Sequence, residues 1–541
     1  MERVFRILRA PGTRSRTECA APTQIVLSMD SDYPEKGPDV TVENITTYTA
    51  VVKPGLLDRW LDKVVETSGS ELVFFTILIA LLTWALMGIR FGNSNTWQIV
   101  ISDVQAIVNM IFDAFLMRQQ LNSYESHLIV AGCLRSRSYS HKRMLRQLIA
   151  NGKCKKIQPK QFQELVQTDF KPDLPTENWL GRISTAVAWF SGHIVTVFAF
   201  WVCIAIWLAC GPHLHWSNTW QLYINSATSA LMVFLLAFIA NIRERHTKYM
   251  NKCLESIWKV DAALETKLRT VSGDKIENPS IVIPPVKQTR IQRVIDYYAD
   301  LVGTLAGIAI LSFVIVVWLA LGPVLHFDSN WWLLIGTYAG LIGLNDGFVL
   351  RNVSTVLGDY EDEQFIQLQH DDMNVLDTIV LGDIEEQQFT DNSFTYRISV
   401  RVGDICASQW IVVLGVITIF GLIIGSSAMR WTVTGQLLCN VPPSIIESFF
   451  TMILLTGHNI GETKRRVHLY NLYLRRLKLV SYVDTMTKTE LAEVVSEPEI
   501  GKKEIQEVEI EEKEVEVRNS KFCTPEIDTD HHYFRFLRKE W

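Results

Sequence analysis

The sequence predicts an all-α, polytopic membrane protein with about eight transmembrane helices, laid out as four tandem two-helix repeats with preceding amphipathic helices. Three observations lead there. The 541 residues are 48% hydrophobic and only 20% charged, less charge than an ordinary soluble chain carries. Eight stretches approach or reach the roughly 20 apolar residues a helix needs to cross a hydrocarbon core about 30 Å thick. A short motif also recurs at matched positions along the chain.

The apolar stretches are 71–89, 97–117, 194–211, 220–240, 301–325, 331–350, 410–428 and 436–456. They form four hairpins with very short inner connectors and long polar segments between hairpins. In the first, Trp84 and Gly88 match Trp207 and Gly211 of the second and Trp318 and Gly322 of the third; the fourth keeps glycines, Gly421 and Gly425. Asn-Thr-Trp-Gln stands at 95–98 and again at 218–221. On this alignment Gln98, Gln221, Leu333 and Gln436 are equivalent, preceded by Trp97, Trp220, Trp332 and Gly435.

An amphipathic segment precedes each hairpin, at 57–66, 179–190, 290–301 and 397–406. Each carries apolar residues at helical spacing together with a basic residue: Arg59, Arg182, Arg293 or Arg401. Such helices can lie at a membrane surface or pack as cytosolic helices, and the pattern suits both.

Orientation follows the basic residues. Arg90 and Arg430 are the only Lys or Arg in the inner connectors, whereas 118–182 holds twelve, so the connectors face outside and both termini the cytosol. The resulting layout is a cytosolic N-terminal segment (1–56), repeat 1 (57–128), a linker (129–176), repeat 2 (177–268), a linker (269–288), repeat 3 (289–365), a linker (366–395), repeat 4 (396–482) and an acidic cytosolic tail (483–541). Between Glu490 and Asp530 fourteen acids face five bases, which accounts for the formal net charge of −6.

This composition excludes a wholly disordered chain, a collagen-like chain and a strongly basic nucleic-acid binder, so no nucleic-acid partner is expected. Nine cysteines without a CxxC or a zinc-ligand spacing read as reduced thiols.

A two-span unit preserves orientation, so four such units surround an axis along the membrane normal. The second helix of each hairpin carries the polar residues. Advancing 100° per residue from the glutamine position, polar side chains recur on one face. Four residues on stand Ser102, Asn225, Thr337 and Asn440; farther in stand Asn109, Asp113 and Glu447. An outer ring of neutral oxygens above buried carboxylates suits a divalent cation moving inward. The ring residues equally suit interhelical hydrogen bonding. Asp103 and Asp346 point elsewhere on ideal helices. At the outer connectors, His215 and His326 hold matching positions and could capture a transition metal at the mouth or simply be solvated.

The run 200–255, with Trp207, Gly211-Pro212, Asn218-Thr219-Trp220-Gln221 and Asn225, resembles the low-affinity iron permease family of fungi and bacteria. The resemblance is tight over 180–260, clear around 70–100 and 300–335, and weak in the fourth unit, where Val441-Pro442-Pro443 interrupts the pattern. It implies a plasma-membrane permease for Fe(II), with relatives accepting copper, zinc or manganese. The expectation is then low-affinity transport of Fe(II) and other divalent metals into the cytosol, driven by membrane potential or protons. No enzymatic motif and no resident cofactor are expected; the partners are the divalent ion and the bilayer, and a homo-oligomer is left open. The competing class is a non-transporting membrane scaffold that presents its cytosolic segments.

Overall fold

The computed structural model describes residues 11–24, 53, 55–92, 94–152, 179–327, 329–379 and 393–495. The expected acidic tail beyond 495 and most of the expected N-terminal segment lie outside these residues. Among the described residues the chain is almost wholly helical. Strand β1 (Thr17–Cys19) and helices α1 (Leu56–Ser68), α2 (Glu71–Phe91) and α3 (Asn95–Ala150) come first, then α4 (Trp179–Ser191), α5 (Ile194–Cys210) and α6 (Asn218–Ser272). Strand β2 (Ile281–Ile283), α7 (Arg290–Val302), α8 (Leu305–Leu321) and α9 (Ser329–Ile379) follow, and then α10 (Phe394–Ala407), α11 (Gln409–Ala428), α12 (Val433–Leu438) and α13 (Val441–Val495).

Among the described residues six helices are long and apolar enough to cross a membrane, and eight if each bent pair counts as one span. The bends are 52° between α4 and α5 and 65° between α7 and α8. The stretch expected at 301–325 therefore begins later, at Leu305, because Gly303 and Thr304 separate the amphipathic helix from the span. On α1, Leu56, Leu57 and Trp60 are exposed while Leu61 and Val65 are buried, the two-faced pattern of an interfacial helix.

The second helices form the centre. In space α3 packs on α6, α6 on α13, α13 on α9 and α9 on α3. Each first helix leans on the central helix next round this ring: α2 on α6, α5 on α13, α11 on α9 and α8 on α3. The spatial order is thus first, second, fourth, third. Helix α2 buries none of its side chains, as expected of a span whose other neighbour is lipid.

Three of the hairpins are closed by the same device. Trp84 stacks on Trp97, Trp207 on Trp220 and Trp318 on Trp331, with centroids 4.3, 3.9 and 4.3 Å apart. In each pair both indoles donate to the other tryptophan's backbone carbonyl, so two N–H groups are satisfied where lipid offers no acceptor. In the fourth hairpin Cys439 Sγ takes that place, 3.6 Å from the Leu422 carbonyl.

The central helices do not stop at the membrane. Each has 51 to 56 residues, about 80 Å at 1.5 Å per residue, more than twice the hydrocarbon core. Residues 129–150, 366–379 and 483–495, expected in linkers or tail, are instead continuous helix. Their inner halves bury a second core that includes Met144, Leu148, Ile257, Leu264, Leu268, Leu479 and Val483. Strand β1 pairs antiparallel with β2, Thr17 opposite Ile283, and both lie on α3.

Candidate metal pathway

The axis of the four central helices is polar, and the three tryptophan pairs fix its register. They align Trp331, not Trp332, with Trp97 and Trp220, which sets the third unit one residue earlier than the sequence alignment. The residue level with Ser102, Asn225 and Asn440 is consequently Gly336: a Cβ there would lie 2.8 Å from Asn440 Nδ2 and 4.0 Å from Ser102 Oγ. Thr337 is buried one step round α9. Gly340, Gly343 and Gly347 continue the stripe inward at spacings of four, three and four, one face of a helix. These glycines do not distort α9; they bring its backbone against the axis.

At the outer level Asn225 Nδ2 donates to Ser102 Oγ at 2.9 Å and Asn440 Nδ2 approaches the same oxygen at 3.5 Å. The second contact joins α3, across the diagonal, to the turn that leads into α13. One turn inward Ser229 Oγ donates to Gln105 Oε1 at 3.4 Å. Here the fourth unit departs: α12 ends at Leu438, Cys439 and Asn440 turn, and α13 starts at Val441. Pro442 and Pro443 sit in the first turn of α13, where a missing N–H costs nothing. The Cys439 carbonyl faces Gly340, 2.8 Å from where a Cβ would stand.

Seven residues inward of Ser102, about 10 Å, Asn109 Nδ2 donates to Glu447 Oε1, again across the diagonal. Gly343 makes room: a Cβ there would lie 2.5 Å from Glu447 Oε1. Asp113 lies one turn farther on α3, close enough for its charge to interact with Glu447 and Asp346. Exposure is 0% at Asn109, 1% at Glu447 and 3% at Asp113. Asp346 is held by Tyr298 of α7, whose hydroxyl donates to Oδ1 at 2.6 Å. Asp103 is buried as well. The inner end is crossed by Arg243, whose guanidinium donates to the Leu116 carbonyl at 3.4 Å, to Gln120, and to Ser354 at 3.4 Å.

Several oxygens along this column are buried without a hydrogen-bond partner among the described residues: Gln98 Oε1, Asn225 Oδ1, Asn109 Oδ1, Glu447 Oε2 and Asp113 Oδ2, with Thr337 Oγ1 beside them. Such atoms are rare in folded proteins and call for a water or an ion. Neutral oxygens followed by carboxylates form a hard donor set suited to a divalent cation. They lie in successive rungs: among the described residues no three His, Cys, Asp or Glu side chains converge on one point. His215 and His326 occupy equivalent exposed outer turns with φ of 52° and 51°. Among the described residues neither belongs to a group of three or more His, Cys, Asp or Glu side chains.

The structure thus brings Ser102, Asn225, Asn440, Asn109, Glu447 and Asp113 to one axis and leaves His215 and His326 at the mouth. The helical spacing of Gly340, Gly343 and Gly347 is visible in the sequence and suits a distorted helix there; the close approach of α9 to the axis that it permits is seen in the structure. The Tyr298 contact had no such signal.

The family described as low affinity iron permease matches residues 180–300 and 395–525. A low-affinity iron/zinc ion transport protein of Schizosaccharomyces pombe is 34% identical over 498 residues, 88% of this chain and 85% of that one. A low-affinity Fe(2+) transport protein of Saccharomyces cerevisiae is 34% identical over 461 residues, 80% of this chain and 84% of that one. No solved structure matches.

Proposed function

The chain belongs to the low-affinity iron permease family, and from that premise we propose that it carries Fe(II), and zinc with lower discrimination, into the cytosol along the axis of α3, α6, α9 and α13. The relatives' activities support the ion; the column of oxygens supports the route. We place the protein in the plasma membrane with both termini cytosolic, as the basic residues suggest.

Diagonal bonds close the path as it stands. An entering cation takes the place of an N–H donor: it draws the Ser102 hydroxyl and the Asn225 and Asn440 carbonyl oxygens at the outer level, then the Glu447 carboxylate in exchange for Asn109 Nδ2. Asp113 offers the next oxygen one turn in. A carboxylate inside the hydrocarbon core costs a few kcal/mol, so a site that retains one there gains by meeting an ion. Inward movement of a divalent ion yields about 4.6 kcal/mol per 100 mV of inside-negative potential, enough to drive accumulation without ATP.

The observation that carries this reading is Glu447: 1% exposed inside a span, bonded by one oxygen to Asn109 and with the other unpartnered. Radiolabelled Fe(II) uptake into iron-starved cells, with and without the membrane potential, tests it. Uptake should appear with the wild-type chain, fall when the potential is collapsed, and be competed by zinc. If an overexpressing strain takes up no more than an empty one, the reading fails.

A further inference from the structure

Two histidines that no sequence motif connects meet where the path leaves the membrane. His246 lies on α6 and His458 on the neighbouring α13, and His246 Nδ1 stands 2.9 Å from His458 Nε2. The ring centroids are 5.0 Å apart with planes 20° from parallel, so the rings meet through their nitrogens. His458 is eleven residues inward of Glu447, about 16 Å along α13, and Arg243 lines the same inner end. Both imidazoles line a cavity of about 190 Å³ at this inner end.

We propose that His246 and His458 form a nitrogen-ligand exit site for a divalent transition metal; the inference rests on the axial transport reading above. In their neutral form two imidazoles that share a hydrogen bond turn one nitrogen each toward the other, and a rotation of both rings points the two lone pairs at a common metal. Metal–nitrogen bonds of about 2.0–2.1 Å at a tetrahedral angle place the two nitrogens about 3.3 Å apart, a few tenths of an ångström wider than the pair stands now. The imidazole that donates moves its N–H to its other ring nitrogen, so both facing nitrogens offer lone pairs and no net proton is lost. The cavity holds water for the remaining positions. Of the cations on its walls, Arg465 lies 3.1 Å from Glu361, while Arg243 donates to neutral oxygens of Leu116, Gln120 and Ser354; Asp359, Asp362 and Asp404 add carboxylates to the lining, and beside it Arg466 lies 3.2 Å from Glu462. Glu462, one turn from His458, is engaged in that pair and is not counted as a ligand.

The site changes what the permease selects. An all-oxygen column admits magnesium and calcium as readily as iron, whereas imidazole favours Fe(II), Zn(II), Co(II) and Cu(II). A nitrogen pair below the carboxylates would pass the borderline metals and offer little to the hard ones.

The test is Co(II) titration of the purified full-length protein in lipid nanodiscs, read by its visible absorption. The wild type should bind one Co(II) with a tetrahedral nitrogen-ligand spectrum that excess Mg(II) does not displace. His246→Gln and His458→Gln should each weaken that site about tenfold or more, since loss of a mere supporting contact to a ligand already costs 10–100-fold. The outer pair His215→Gln/His326→Gln should keep it. His458→Cys should restore binding with a sulfur-to-cobalt charge-transfer band, and that band decides the matter if a glutamine variant fails to fold. Unchanged binding in both glutamine variants, or no sulfur band in the cysteine variant, overturns the proposal. Glu447→Gln separates this from the axial reading: if uptake survives that change the column falls, while the Co(II) spectrum still judges the histidine pair.

Discussion

Helices α3 and α13 meet across the diagonal of the bundle in its membrane-spanning half and again beyond it, and the chemistry of the two meetings is opposite. In the membrane Asn109 reaches Glu447, while one oxygen of Glu447 and one of Asp113 lack partners. Twenty-nine residues on, about 44 Å inward, Arg476 donates to Ser138 and to His141 Nδ1 at 3.0 Å, and lies 2.7 Å from Asp372 and 3.2 Å from Asp261. Arg137 joins the same cluster, 3.1 Å from Glu265 and stacked 4.1 Å over Trp258. Buried charge is compensated below and left open above. A compensated network holds four helices in one arrangement; an uncompensated carboxylate stays available to a passing cation.

Breaking the lower crossing should have the largest effect. Arg476→Ala leaves Asp261 and Asp372 buried against too little positive charge and should cost about 3–5 kcal/mol, seen as a large drop in melting temperature and in membrane abundance. If Arg476→Ala melts like the wild type, the lower network is not what holds the helices.

Glu447→Gln is the matching change above. It keeps the shape and a carbonyl acceptor for Asn109, so stability should move by less than about 1 kcal/mol, while Fe(II) uptake falls about 30-fold or more for lack of the charge that binds a divalent ion. Uptake normalised to surface protein separates the two. Wild-type transport in this variant would make the upper crossing structural as well.

Acid should distinguish the halves next. Burial, helped by Arg476, Arg137 and Arg269, holds the His141 imidazole well below its ordinary range. The unfolded chain takes that proton near pH 6.5 and the folded one does not, so this contribution is present above about pH 6.5 and is lost as pH falls, by about 1.4 kcal/mol per unit. Burial raises the Asp261 and Asp372 carboxyls, which bends the profile the other way at lower pH. The readout is therefore the difference between the wild type and His141→Gln in melts from pH 7.5 to 5.5: the wild type should lose more, and parallel curves would exclude the histidine.

The smallest effect belongs to the outer end. Trp318→Phe removes one indole bond, 3.1 Å to the Trp331 carbonyl, and should cost about 1 kcal/mol with uptake unchanged. A transport defect at normal abundance would show that the tryptophan clasps govern entry rather than merely close the hairpin.

The same contrast explains what the sequence revealed. Spans were legible because a lipid-facing helix such as α2 must be apolar all round, and Asp113 and Glu447 stood out for the same reason. The inner halves were not legible. In α3 the buried positions run Val130, Leu134, Arg137, His141, Met144 and Leu148, helical spacing with two ionisable residues set into the stripe. A hydrophobic reading sees that stretch as a polar linker, because the charges that fill it are satisfied only by Asp261, Glu265, Asp372 and Arg476 from other helices. The ring order, first, second, fourth, third, is likewise invisible along the chain. The third-unit register slipped because two tryptophans stand side by side, and only the stacking of Trp318 shows that Trp331 is the partner.

The unbroken length of the central helices turns them into levers. With the charge cluster around Arg476 as fulcrum and an arm of about 44 Å, a tilt of about 2° displaces the far end by about 1.5 Å, enough to separate Asn109 from Glu447 beyond hydrogen-bonding reach. On the proposed axial route, opening the membrane half requires no unwinding and no hinge inside the bilayer, only a slight pivot of the central helices about a clamp outside it.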